Sequence, residues 1–162
     1  MTNIPENITK IIKQLDLIAH PEGGFYRETY RSDDTLHNNA KNIMSSIYFL
    51  LTSDHVSHLH RIKSDENWYY HGGSPLIVHV LDAFGHHQHI VGNDLEKGYF
   101  PHFLVPKNTI FGSTVLEKDS YSLVSCAVAP GFDFSDFELF KRSELLKSYP
   151  MHEELINELA IP

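Results

Sequence analysis

From Met44 to Ala129 the sequence repeats one arrangement: a short run of β-branched and aromatic residues, then a turn built from Gly, Pro, Asn, Asp or Ser. MSSIYFLLT, HVSHLHRI, ENWYYH, PLIVHVLD, HHQHIVG, FLVP, TIFGSTVL and YSLVSCAVA are such runs. FYRETYRS precedes them, which makes about nine strands. The connections are short except around residues 32–42 and 92–100. Strands this short and this closely spaced find partners only by pairing with one another, so the spacing predicts an all-β sandwich or barrel.

The two ends differ from this middle. After Asn3-Ile4-Pro5, the stretch ENITKIIKQLDLI carries Ile8, Ile11, Ile12 and Leu15 at helical spacing, with Pro in the first turn. At the other end SELLKSYP, with Ser143 as the expected N-cap, and MHEELINELA read as short helices. Both helical pieces are expected to lie as lids on the β core. No repeat, low-complexity tract or linker divides the chain, so residues 1–162 are read as one domain, long enough for a sizeable core.

The charge of -8 argues against nucleic acid or an anionic membrane surface as partner. No apolar run reaches the length of a membrane span, and the N-terminus lacks a signal-peptide core, so the expected compartment is the cytoplasm. A single cysteine, Cys126, excludes an internal disulfide, and its neighbours SLVSCAVA mark it as a buried structural thiol.

The chemistry concentrates in HLHRIKSDENWYYHGG, from His58 to Gly73. Strand alternation aims His58 and His60 the same way, and puts Glu66, Trp68 and Tyr70 on one face of the next strand. Two imidazoles and a carboxylate converging on one place suit either of two chemistries. One is a two-His-one-carboxylate centre for Fe, Mn, Ni or Zn; the other is an acid–base set. His86, His87 and His89 follow a turn and read as a solvated hairpin. Arg27, Arg31 and Arg61 are candidate anion holders. Neither face of FYRETYR is apolar throughout, which suits a pocket wall or a subunit contact, or equally an exposed edge strand.

The run HxH…E followed by Gly73 resembles the first motif of the cupin superfamily, whose HxH and Glu sit inside a double-stranded β-helix, a jelly-roll barrel. The second cupin motif is matched in part by VPKNTIFG: Pro106 is present, Asn108 replaces a glycine, and Phe111 stands where a histidine ligand should be. Beyond these motifs, HPEGGFYRETYR, IYFLL, GNDLEKGYFPHFLVP and APGFDFSDFEL resemble the cupin-5 family, compact cupins with no assigned biochemical function. That family is similar in fold to the dTDP-sugar epimerases of rhamnose synthesis, metal-free dimers with a histidine base. Gly24-Phe25-Tyr26-Arg27-Glu28 resembles the strand by which those enzymes complete a neighbour's pocket. His60 is the nearest match to the base, with Asp133 or Asp136 as candidates to orient it.

The resemblance implies a cupin barrel with short N- and C-terminal helices, assembled as a homodimer around a small-molecule pocket. The expected lining is His58, His60, Glu66, Trp68, Tyr70, Tyr48 and Phe111, with Tyr26 and Glu28 supplied by a partner chain or capping the mouth. Three functions are open. One is a metal-independent isomerase or epimerase acting on a sugar or small polar metabolite, with His60 taking a proton and Tyr48 or Tyr70 returning one. The second is a metal-dependent oxygenase or isomerase with His58, His60 and Glu66 as ligands to a divalent ion. The third is a non-catalytic binding module. Phe111 in the second motif favours the first and third, so the expected cofactor is none, with a divalent metal as the runner-up. A buried carboxylate at Glu66 favours the first over the third, because it costs free energy without a partner or a task.

Overall fold

The computed structural model describes residues 4–37 and 41–162. Asn3, at the expected helix start, and residues 38–40 of the first polar loop lie outside the described residues. Among the described residues eleven strands follow one another: β1 Ile18–Ala19, β2 Phe25–Arg31, β3 Ser45–Thr52, β4 Ser57–Arg61, β5 Asp65–Gly73, β6 Leu76–Asp82, β7 Gly85–Val91, β8 His102–Val105, β9 Ile110–Val115, β10 Tyr121–Ala129 and β11 Glu138–Leu139. Three α-helices flank them among the described residues: α1 Glu6–Gln14, α2 Arg142–Ser148 and α3 Glu153–Leu159. Two strands beyond the expected nine, β1 and β11, are two residues long, too short to leave a periodic signal.

The strands form two antiparallel sheets, ordered β1-β2-β3-β10-β5-β8 and β11-β4-β9-β6-β7. Their inner faces enclose one apolar core, in which Phe49, Trp68, Phe111, Val78, Val124 and Cys126 pack together. Phe49 and Phe111 meet the Trp68 ring edge-on at 5.9 and 6.0 Å between centroids, the favoured geometry for aromatic quadrupoles. This aromatic layer fills the middle of the barrel.

The helices lie on the outer faces of the sheets instead of closing the barrel ends. Ile8 of α1 packs with Leu17 and Leu50 against the outside of the six-stranded sheet. Leu145, Leu155, Ile156 and Leu159 of α2 and α3 cover Leu59, Leu81 and Ile110 on the outside of the other. The alternation of β3 makes this possible: Phe49 and Leu51 turn inward while Tyr48 and Leu50 turn out. The α2 N-cap is Lys141, two residues before the expected Ser143, and Glu144 reaches back to accept the Lys141 backbone N–H at 2.9 Å.

Candidate functional site

One end of the barrel is left unfilled. A cavity of about 670 Å³ opens there, bounded on its inner side by Phe49 and His60 and lined by β2, β3, β5 and β10. A volume of this size suits a small metabolite.

The residue that gives the cavity its chemistry comes from the turn between β1 and β2. In His20-Pro21-Glu22-Gly23-Gly24 the chain reverses, with Gly23 N–H bonding His20 O at 3.0 Å and His20 N–H bonding Gly24 O at 2.9 Å. Gly23 and Gly24 take φ of 108° and 76°, which side-chain-bearing residues rarely adopt. The turn is pinned to β4 by His58 N–H donating to Glu22 O at 2.6 Å. Held this way, Glu22 pushes its carboxyl into the barrel, where the residue is 7% exposed.

There Glu22 meets His60. Oε2 of Glu22 lies 3.0 Å from Nε2 of His60, and Oε1 accepts the Ser57 hydroxyl at 2.9 Å. The other ring nitrogen of His60, Nδ1, donates to the His58 carbonyl at 2.6 Å. Nδ1 therefore holds a proton, and the proton between Nε2 and Oε2 belongs to the pair. Burial drives His60 down to about 4. Burial also raises Glu22 above the usual carboxylate range, against the opposing pull of His20 and Ser57. Both shifts favour the neutral form, a carboxylic acid donating to an imidazole. His20 accepts the Glu22 backbone N–H at Nδ1 (3.1 Å), and its own burial keeps it neutral as well.

Glu66, on β5, faces the same chamber and is 8% exposed. Among the described residues no nitrogen or oxygen is hydrogen-bonded to its carboxyl, and only the weakly donating Cys126 thiol meets it. Burial, reinforced by Glu22 as a second carboxyl, pushes Glu66 up to about 8. Between 4.5, the ordinary value, and about 8, the folded protein holds a proton that the unfolded chain has released. Stability contributed by this group therefore falls as pH rises through that window and is level above it. Glu66→Gln removes the slope. We expect the variant to gain about 2–4 kcal/mol over the parent in going from pH 4.5 to pH 8.5, measured by urea unfolding at both. An equal difference at the two pH values would count against a protonated Glu66.

The walls and rim complete the site. Tyr26, Ile47, Phe49, Val128, Phe132 and Phe134 supply apolar surface. The segment Phe132–Phe137 runs across the mouth as a strap, fixed by Phe132 N–H to Ser45 Oγ at 2.9 Å and by an ion pair between Lys41 and Asp136. Its Phe137 ring lies 5.4 Å from His60. Arg31 sits at the rim with four of its five N–H donors engaged: two bonds to Glu28 at 2.7 and 3.0 Å, one to Asn42 Oδ1 at 2.9 Å and one to Phe132 O at 2.8 Å.

The structure rearranges the sequence-based set. His60 and Glu66 line the cavity, as do Tyr26 and Glu28, which come from this chain's own β2. His58 does not. Ser57 pairs with Ser113 and His60 with Phe111, so three steps on β4 match two on β9. This bulge keeps Ser57 and His60 inward and turns His58 out, where its Nδ1 meets Leu159 O of α3 at 3.1 Å. Tyr48 packs under α1 on the outer face, and Tyr70 turns its hydroxyl to Gly73 O beyond the aromatic layer, so neither reaches the cavity. Trp68 and Phe111 form that layer, with Phe111 at 4.3 Å from the His60 ring, behind the cavity surface.

The expected metal ligands therefore fail to converge. His58 points away, and His60 Nε2 is taken by Glu22. Among the described residues no three His, Cys, Asp or Glu groups are gathered as a metal ion requires. Asp133 and Asp136 do not orient His60; Asp133 accepts the Ser135 N–H and Asp136 pairs with Lys41. Arg61 pairs with Glu138 at 2.7 Å. The second histidine cluster is partly internal: His86 bonds the buried His79 at 3.0 Å, and His89 stacks on Phe103 at 4.1 Å. Sequence reasoning missed Glu22, His20 and Ser57. The one available signal was the glutamate itself, a charged residue wedged between Pro21 and two glycines in HPEGG.

Two antiparallel sheets closed around an end-cavity define a jelly-roll cupin. The oxalate decarboxylase of Bacillus subtilis superposes on 89% of this chain with a TM-score of 0.54 at 16% identity, over 39% of its own length, a likeness of fold. The chain belongs to the cupin-5 family, Cupin superfamily (DUF985), whose model matches residues 9–140. A protein of Shewanella oneidensis is 45% identical, with a TM-score of 0.89 over 94% of this chain and 96% of that one. A hypothetical protein from Leishmania major is 40% identical, with a TM-score of 0.88 over 95% and 98%. An uncharacterized protein of Saccharomyces cerevisiae is 27% identical, covering 91% of this chain and 82% of its own. Among the described residues no helix is long and apolar enough to cross a membrane.

Proposed function

We propose that the protein is a small-molecule cupin in which the Glu22–His60 pair moves a proton on a bound sugar or small polar metabolite, in the manner of an isomerase or epimerase. The observation that carries this reading is the buried carboxyl–imidazole pair facing the cavity at the barrel end, at 3.0 Å and with both members held neutral by burial. Such a pair accepts a proton at one member while giving one from the other, so its net charge stays at zero. That is the least costly course for proton transfer away from bulk water. Ser57 and the His58 carbonyl fix the carboxyl and the ring, so little is spent on orientation during the step. The substrate loses a proton from carbon beside a carbonyl, gains one at the carbonyl oxygen, and reverses both on a different face or carbon.

The test is solvent deuterium incorporation across a panel of sugars and nucleotide sugars. Exchange at a carbon-bound position, lost in Glu22→Gln, is expected. Binding without exchange across the panel would leave a non-catalytic binding module. Metal analysis of protein purified without added metal addresses the divalent-ion alternative, which would require a stoichiometric ion lost on His60→Ala.

We further propose that a second copy of the chain pairs along β2. Among the described residues no strand pairs the outer edge of β2 beyond Tyr26, and Ile18 and Tyr30 beside it are 61% and 53% exposed. A dimer by gel filtration is expected; a monomer would overturn it.

A further inference from the structure

Five acidic side chains line the cavity against two arginines, and the arginines stand at the rim. Arg31 turns four of its five donors to Glu28, Asn42 and Phe132 O at the rim, and Arg27 reaches out to Leu15 O at 3.4 Å. Among the described residues the inner chamber therefore offers two carboxyls and no cation. Of those carboxyls Glu22 is held by Ser57 and His60, whereas Glu66 is more than nine-tenths buried, faces the chamber and lacks an oxygen or nitrogen partner among the described residues. A buried carboxyl in that condition is costly unless the occupant of the cavity completes it. The surrounding wall is aromatic: Tyr26, Phe49, Phe132 and Phe134 all contribute. Ring faces favour a cation, and an ammonium group reaching Glu66 displaces the carboxyl's proton to solvent and pairs with the carboxylate left behind, a gain that neither a neutral donor nor an anion has.

We propose that Glu66 is the specificity residue of this cavity and that the ligand presents to it a protonated amino group, so that the substrate class is a small amine-bearing metabolite. This rests on the cavity being a ligand site. A carboxylate or phosphate on the same ligand is confined to the rim. The two carboxyls then divide the work: Glu22, held by β4, acts on the proton, and Glu66, from β5, holds the substrate.

The experiment uses three probes of one shape, cyclohexylammonium, cyclohexanol and cyclohexanecarboxylate, titrated into the full-length protein and followed by NMR shifts of the His60 ring and the Ile47 methyl groups. The ammonium probe is expected to bind about tenfold more tightly than the alcohol, and the carboxylate not to bind. In Glu66→Gln the ammonium advantage is expected to vanish while alcohol binding persists. Carboxylate binding as tight as the amine, or an amine advantage unchanged in Glu66→Gln, overturns the assignment and leaves the cavity as a ligand site. Alcohol binding without any preference does the same. Silence from all three probes overturns the assignment and counts against the ligand site as well.

Discussion

Gly23→Ala is expected to be the most destabilising single-methyl change in the protein, lowering stability by about 3 kcal/mol or more and the Tm by roughly 10 °C. A Cβ at this position falls 2.0 Å from the Val56 carbonyl oxygen, a backbone atom of the strand lead-in that cannot swing aside. The φ of 108° adds strain of its own. Gly98→Ala is the matched control. Its φ is 77°, yet nothing lies within 4 Å of the added carbon, so only the conformational term remains, about 1 kcal/mol. A Gly23→Ala variant that melts no lower than Gly98→Ala would mean the turn yields easily, and that the seating of Glu22 does not depend on it. Thermal unfolding of the two variants side by side makes the comparison.

Glu22→Gln is the second large effect, and it falls on chemistry. The amide can still accept from Ser57 and donate to His60 Nε2, so both contacts of 2.9 and 3.0 Å have a substitute. What it lacks is a proton it can release. Proton exchange on the bound ligand is expected to fall by about 100-fold or more while the Tm stays within a few degrees. Glu22→Ala removes the contacts too, stranding a buried hydroxyl and a buried ring nitrogen, and is expected to cost about 2 kcal/mol in addition. Equal rates in the Gln variant and the parent would make Glu22 a structural wedge and nothing more.

The barrel was legible in the sequence because it depends on patterns with a fixed period. Runs such as IYFLL and SLVSCAVA alternate inward and outward over whole strands, and the turns between them carry their own residue preferences. His60 and Glu66 were found by the same alternation. His58 was misplaced for a specific reason: one bulge between Ser57 and His60 shifts the period by a residue, and a bulge leaves little mark when its residues are Ser, His and Leu. Tyr48 and Tyr70 carry hydroxyls on strands of the barrel. Alternation along β3 puts Tyr48 outside, and position along β5 puts Tyr70 beyond the aromatic layer. Glu22 was invisible to periodicity because it lies in a turn. Its place in the barrel depends on a contact with β4, some 35 residues away along the chain.

A neutral Glu22–His60 pair holds one proton between Oε2 and Nε2. The most direct measurement is the ¹⁵N shift of both His60 ring nitrogens from pH 5 to pH 8.5, read from a long-range nitrogen–proton correlation spectrum. The expected result is a neutral ring throughout, Nδ1 protonated and Nε2 accepting, in keeping with a pKa of about 4. The same spectrum of Glu22→Gln is expected to show the same tautomer. Two protonated nitrogens at pH 7 would show an imidazolium–carboxylate ion pair, and would contradict the neutral pair on which the proposed proton transfer is built.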